Sequence, residues 1–87
     1  MPATPALLDL DQAPNGAELL VEDILGERSF RRRLMELGLL PGTPISKAQV
    51  APTGDPIELR VRGARLSIRR AEARLIQVRS ATAQAAR

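Results

Sequence analysis

From Ile57 to Ile68 the chain changes character at almost every step. Ile57, Leu59 and Val61 alternate with Glu58, Arg60 and Arg62, and beyond Gly63 the residues Leu66 and Ile68 alternate with Arg65, Ser67 and Arg69. A period of two belongs to an extended strand with one face in a core and one in water, and two such runs joined by a tight turn make a hairpin. A two-residue type II′ loop at Gly63-Ala64, with Gly first as that turn requires, predicts the register. Val61 then faces Leu66 and Leu59 faces Ile68 inside, while Arg62 faces Arg65, Arg60 faces Ser67 and Glu58 faces Arg69 outside.

The segments before and after this hairpin are equally short and are divided by turn signals. Ala13-Pro14-Asn15-Gly16 predicts a turn, and Ala17 to Asp23 a strand with Leu19 and Val21 on its core face. Phe30, Leu34 and Leu37 recur at helical spacing and predict a short helix over Arg28 to Leu37, with Ser29 as its N-cap. Gly38 suits the left-handed position after that helix, and Leu39 can then pack back on the last turn.

Leu40-Pro41-Gly42-Thr43 fits a type II turn and Ala51-Pro52-Thr53-Gly54 a type I turn. Between them Ile45 to Ala51 alternates poorly, as a bulged or half-exposed edge strand would. A helical step through Ala71, Glu72 and Ala73 leads to a last strand, Arg74 to Arg79, carrying Ile76 and Val78. The sum is a mostly β domain of five short strands with one short α-helix between the first and second. Closure is the economical protection for edges this short, so an SH3-like barrel is expected. Residues 8–79 form it, with a disordered N-terminal extension at 1–7 and a disordered C-terminal tail at 80–87.

A chain of 87 residues allows one such core. The absence of His and Cys removes the usual imidazole base, thiol nucleophile and disulfide, and the serines have only Lys47 as a conceivable activator, so no enzyme is expected. Asp9 with Asp11 and Glu22 with Asp23 are acidic pairs, but without imidazole they do not build a dedicated ferrous site; weak divalent binding is the most they offer, and no cofactor is expected. No secretory signal and no apolar run near the length of a membrane span is present, which points to the cytoplasm.

Charge is unevenly distributed. Residues 1–27 hold six acids and no base, while the remainder holds all 13 bases. A positive field of this kind attracts acidic protein, nucleic acid or anionic lipid, or simply keeps a surface solvated. Phe30 is the one aromatic residue and its phase sends it to the core, which leaves no platform for stacked bases or a proline-rich peptide, so no stable nucleic-acid complex is expected.

Pro14-Asn15-Gly16, FRRRLMELGLLPGT from Phe30 to Thr43, and APTGDPIELRVRGARLSIRRAEA from Ala51 to Ala73 together resemble the ferrous-iron transport protein A (FeoA) family. Lys47 stands where that pattern usually has a β-branched apolar residue, and Ala64 where a larger residue often sits. The resemblance implies an SH3-like barrel in the cytoplasm that assists a membrane ferrous-iron transporter with a cytoplasmic GTPase domain. A related module closes some iron-dependent repressors, but no helix-turn-helix precedes it here. Arg60, Arg62 and Arg65 on the hairpin and Arg31 and Arg32 on the helix are the expected partner-binding residues. They would dock on acidic surfaces of the GTPase region, with self-association through the Ile45 to Ala51 edge as a further contact. A metal-responsive module and a basic nucleic-acid-binding barrel are the alternative functions.

Overall fold

In a computed structural model, which describes residues 8–81, the chain forms six strands and two short helices. In order these are β1 (Leu8–Asp9), β2 (Glu18–Ile24), α1 (Arg28–Glu36), β3 (Pro44–Val50), β4 (Ile57–Val61), β5 (Ala64–Ile68), α2 (Arg70–Ala73) and β6 (Ile76–Ser80). All pairings are antiparallel and run β1-β6-β2-β3-β4-β5. The hydrogen-bonded ladder stays open, with β1 and β5 at its ends, yet Leu8 of β1 and Ile68 of β5 pack on one shared core. The strand that the sequence did not announce is β1. Its two residues pair with Val78 and Gln77, too short a stretch to carry an alternation signal.

Two bulges place side chains that simple alternation would misplace. In β2 the register against β6 slips between Val21 and Asp23, so Leu19, Val21 and Ile24 all reach the core although their spacing is not uniform. In β3 the register against β4 slips between Lys47 and Gln49, the bulge expected for this strand, but β3 is hydrogen-bonded to β2 on one side and β4 on the other, so it is not the edge strand expected to be open to self-association. Ile45 and Lys47 both point inward before that slip.

The hairpin turns at Arg62-Gly63 rather than at Gly63-Ala64. Arg62 (φ 54°) and Gly63 (φ 83°) are both left-handed, the requirement of a type I′ loop, whose hand matches the strand twist. The expected register is therefore corrected by two residues: Val61 faces Ala64, Arg60 faces Arg65, Leu59 faces Leu66, Glu58 faces Ser67 and Ile57 faces Ile68. A slip of two keeps every side chain on its expected face. Ile57, Leu59, Val61 and Ile68 are buried, and half-buried Leu66 packs on the same core.

Helix α1 starts after Glu27, not Ser29, which lies inside it. It buries Leu34 and half-buries Phe30. Its end is a Schellman motif: Leu39 N–H donates to Leu34 O at 3.0 Å and Gly38 N–H to Met35 O at 3.0 Å, with Gly38 at φ 103°. The reversal carries Leu39 into the core and leaves Leu37, expected inside, 50% exposed at the C-cap. The first turn lies one residue later than expected, with Ala17 N–H on Pro14 O at 3.2 Å. The turns before β3 and after it close as expected, through Thr43 N–H on Leu40 O at 2.9 Å and Gly54 N–H on Ala51 O at 2.7 Å. The segments expected to be loose, 1–7 and the end of the 80–87 tail, lie outside the described residues, and β6 reaches Ser80.

Candidate partner-binding surface

The fold divides the arginines by whether a carboxylate is within reach. Asp11 lies between two of them, accepting from Arg70 Nε at 3.0 Å and Arg74 Nε at 3.2 Å. Arg33 leaves α1 sideways, donates to Glu72 Oε2 on α2 at 2.8 Å and covers the ring of Phe30 at 5.7 Å from its centre. Arg65 pairs with Glu58 at 3.3 Å and Arg79 with Glu22 at 3.1 Å. Asp11 and Glu22, two of the six acids in the first part of the chain, are thus paired with arginines from the last part.

Arg28, Arg31, Arg32, Arg60, Arg62 and Arg69 have no such partner among the described residues. Arg28, Arg31 and Arg32 share the outer face of α1, opposite Phe30, because helical positions three and four apart are neighbours. With Met35 and Glu36 they line a shallow open groove of about 470 Å³. Arg60 is exposed on β4 and Arg62 forms the hairpin tip.

Of the five residues expected to bind a partner, Arg31, Arg32, Arg60 and Arg62 are exposed without an acid, while Arg65 is exposed but paired to Glu58. The like-charge pair across the hairpin is Arg60 with Arg65, not Arg62 with Arg65, and Glu58 on the neighbouring strand offsets it. Gly38 at the end of α1 lies against the inward face of the hairpin, with Val61 Cγ1 3.8 Å from where a β-carbon would stand, whereas Arg60 stands on the opposite, exposed face of β4. Arg28 and Met35 line the groove with Arg31 and Arg32 and were not anticipated. Met35, Leu37 and Leu40 are exposed, and only the early helix end explains why Leu37 is.

Three ionisable groups respond to the packing. Burial works against the Asp11 charge, but its bonds to Arg74 and Arg70 outweigh that and hold the carboxyl below its ordinary 3.8. Glu72 is held below 4.5, first by the Arg69 backbone N–H and then by Arg33. Lys47 is pushed below 10.5 by burial, against the pull of Asp11 and Asp9. Its ammonium lies inside the fold and donates to Ala13 O at 2.6 Å and Asp11 O at 3.0 Å. Among the described residues no three acidic side chains gather as a metal site would need, and no helix is long and apolar enough to cross a membrane.

The FeoA domain family model matches residues 8–80. The chain belongs to the FeoA family. Among FeoA relatives, it is 32% identical over 69 residues to a fusion protein of Porphyromonas gingivalis, an Fe(2+) transport protein A joined to the Fe(2+) transporter FeoB. That alignment takes in 79% of this chain and 8% of the fusion protein, so the chain spans a small part of that relative. The solution structure of FeoA from Chlorobium tepidum is 38% identical, with a TM-score of 0.81 over 85% of this chain and 70% of that one. FeoA of Stenotrophomonas maltophilia, described as a prokaryotic SH3 domain protein and complexed with zinc, is 27% identical, with a TM-score of 0.69 over 79% of this chain and 86% of that one. The mostly β, SH3-like fold of the FeoA family is thus the one expected from the sequence, here with an additional first strand and an open ladder.

Proposed function

We propose that this domain is a non-enzymatic accessory of ferrous-iron transport that docks, in the cytoplasm, on the GTPase region of a membrane iron transporter. The observation that carries the reading is the Porphyromonas gingivalis relative, in which a domain of this family is covalently part of FeoB. Fusion keeps two partners at high local concentration, which suits an association that a free-standing domain must make by surface contact. The surface with unspent charge is the arginine side. Arg60 and Arg62 on the hairpin, with Arg65 beside them, and Arg31 and Arg32 on α1 would meet acidic groups on the partner. Such complementarity speeds and orients association more than it tightens it.

Calorimetry with the isolated GTPase region tests this. The expected result is saturable binding that weakens with salt and falls at least about tenfold when Arg60, Arg62 and Arg65 are changed to Glu. Equal binding by the wild-type and charge-reversed proteins would remove the hairpin from the interface. No binding by either would remove the docking reading.

A further inference from the structure

The open ladder ends on one side in β5, a strand of five residues whose one bonded neighbour is β4. Beside the two-residue loop at Arg62-Gly63, Val61 and Ala64 form the first hydrogen-bonded pair, and Leu59 with Leu66 and Ile57 with Ile68 repeat it. Arg65 and Ser67 fall in the alternate pairs, so their backbone N–H and C=O groups point away from β4. Among the described residues nothing bonds to these backbone groups. The edge is also uncovered: Ala64, Arg65 and Ser67 are exposed and Leu66 is half-buried. A row of unpaired donors and acceptors in this state is a template for one more strand. We propose that β5 takes an extended segment of an acidic protein partner as an added antiparallel strand, with carboxylates of that segment beside Arg65 and Arg69.

Charge decides between an acidic segment and a second copy of this chain. Arg65 and Ser67 stand on the outer face, and the extended backbone of Arg69 (φ −78°, ψ 150°) continues their alternation. Arg69 has no carboxylate partner among the described residues, and the Arg65 side chain is 72% exposed even with Glu58 beside it. The strand itself, ARLSI, carries no acid. Two copies joined along β5 would crowd their arginines on one continuous face, which like charges oppose. A segment with acidic residues at every second place relieves that crowding, and its intervening apolar residues extend the cover over Leu66 at the margin of the core. The arginines thus turn away a like strand and admit an acidic one. Main-chain bonds supply the attachment and alternate side chains the selection. This deepens the docking reading, on which it rests for the acidic nature of the partner, but it engages backbone groups and can fail alone.

Amide NMR titration of the full chain with a short synthetic peptide in which Glu and Val alternate tests the proposal. The peptide should shift the Arg65 and Ser67 amides, slow their exchange with solvent, and dissociate as salt rises. A peptide of the same composition with its glutamates and valines in separate blocks should bind at least about tenfold more weakly. Ser67→Pro removes one outward donor at a position where an edge strand accepts proline, and should weaken binding at least about tenfold, as should Arg65→Glu with Arg69→Glu; circular dichroism verifies that each variant folds. The peptide supplies the same test on the wild-type chain. Its glutamate N–H groups face β5 when their side chains face Arg65, so N-methylation there should abolish binding, whereas N-methylation of the valines should change it less than about twofold. Absence of binding at low salt, shifts confined to residues away from β5, or indifference to the glutamate N-methyl groups overturns the proposal. If the chain alone forms a dimer that Ser67→Pro dissolves, the edge belongs to a second copy and the acidic-segment assignment falls. If the GTPase region binds wild type and Ser67→Pro equally, the added strand falls and docking stands. If the peptide binds at β5 and the GTPase region does not bind, docking alone falls.

Discussion

Lys47 and Ala13, distant in sequence, are joined by a hydrogen bond of 2.6 Å from a buried ammonium to a backbone carbonyl. A second bond, of 3.0 Å, reaches Asp11 O, so one side chain on β3 ties down the segment between β1 and β2. Nothing else among the described side chains donates to these two carbonyls.

Replacing Lys47 therefore separates bonding from packing. Lys47→Met keeps most of the volume and strips the carbonyls of their donor, with an expected loss of about 1–3 kcal/mol. Lys47→Ala adds a cavity and should lose about 1–2 kcal/mol more. Urea unfolding measures both, and a Met variant as stable as the wild type would show that the buried bonds contribute nothing net.

Lys47 also sets a dependence on alkaline pH. Because burial holds its folded pKa below the ordinary 10.5, the unfolded chain binds more protons between the two values. Stability should therefore rise as pH approaches 10.5, since the neutral amine keeps N–H donors for both carbonyls while its desolvation penalty disappears. Thermal unfolding of Lys47→Met should lack this rise.

Asp11 and Glu72 give the opposite edge. Their folded pKa values lie below 3.8 and 4.5, so their contribution is complete above those values and is lost as pH falls through the lowered ones. Arg70 and Arg74 are about half exposed, which screens the pair, and Asp11→Asn should lose only about 1 kcal/mol at neutral pH. It should also flatten the acid limb of a stability profile. An unchanged acid limb would mean that the Asp11 bridges do not persist in solution.

Arg62 is held at φ 54° by the type I′ loop, a conformation that costs a residue with a β-carbon about 1 kcal/mol. Arg62→Gly removes that strain but loosens the unfolded chain, whereas Arg62→Asn keeps a side chain suited to this turn. The Asn variant should be more stable by about 0.5 kcal/mol, judged by urea midpoint, and bind the GTPase region less well. Improved stability with undiminished binding would place the contact elsewhere on the domain.

Gly38 occupies the left-handed end of α1 with room beside it, since the nearest atom to an added β-carbon is Val61 Cγ1 at 3.8 Å. Gly38→Ala should therefore lose about 1–2 kcal/mol through backbone strain alone. A far larger loss would show that the strand beneath, carrying Val61, is disturbed as well.

The alternation of Ile57 to Ile68, the helical spacing of Phe30 and Leu34 and the Gly38 stop were legible in the residues, because each is dictated by local geometry that the chain cannot evade. The faces survived even where the hairpin register did not, since a slip of two residues leaves each side chain on its side and alters only its partner. Which arginines are free was not legible. Arg31, Arg32 and Arg33 are chemically alike, consecutive and all exposed, and only the approach of Glu72 on α2 pairs the third and leaves the other two without a carboxylate. Leu37 faced solvent for a similar reason: the chain reversal let Leu39 take the core position from it. Local periodicity decides what lies inside and outside, but charge pairing and the site of an apolar outlier depend on contacts between distant segments, and those exist only once the sheet has folded over its core.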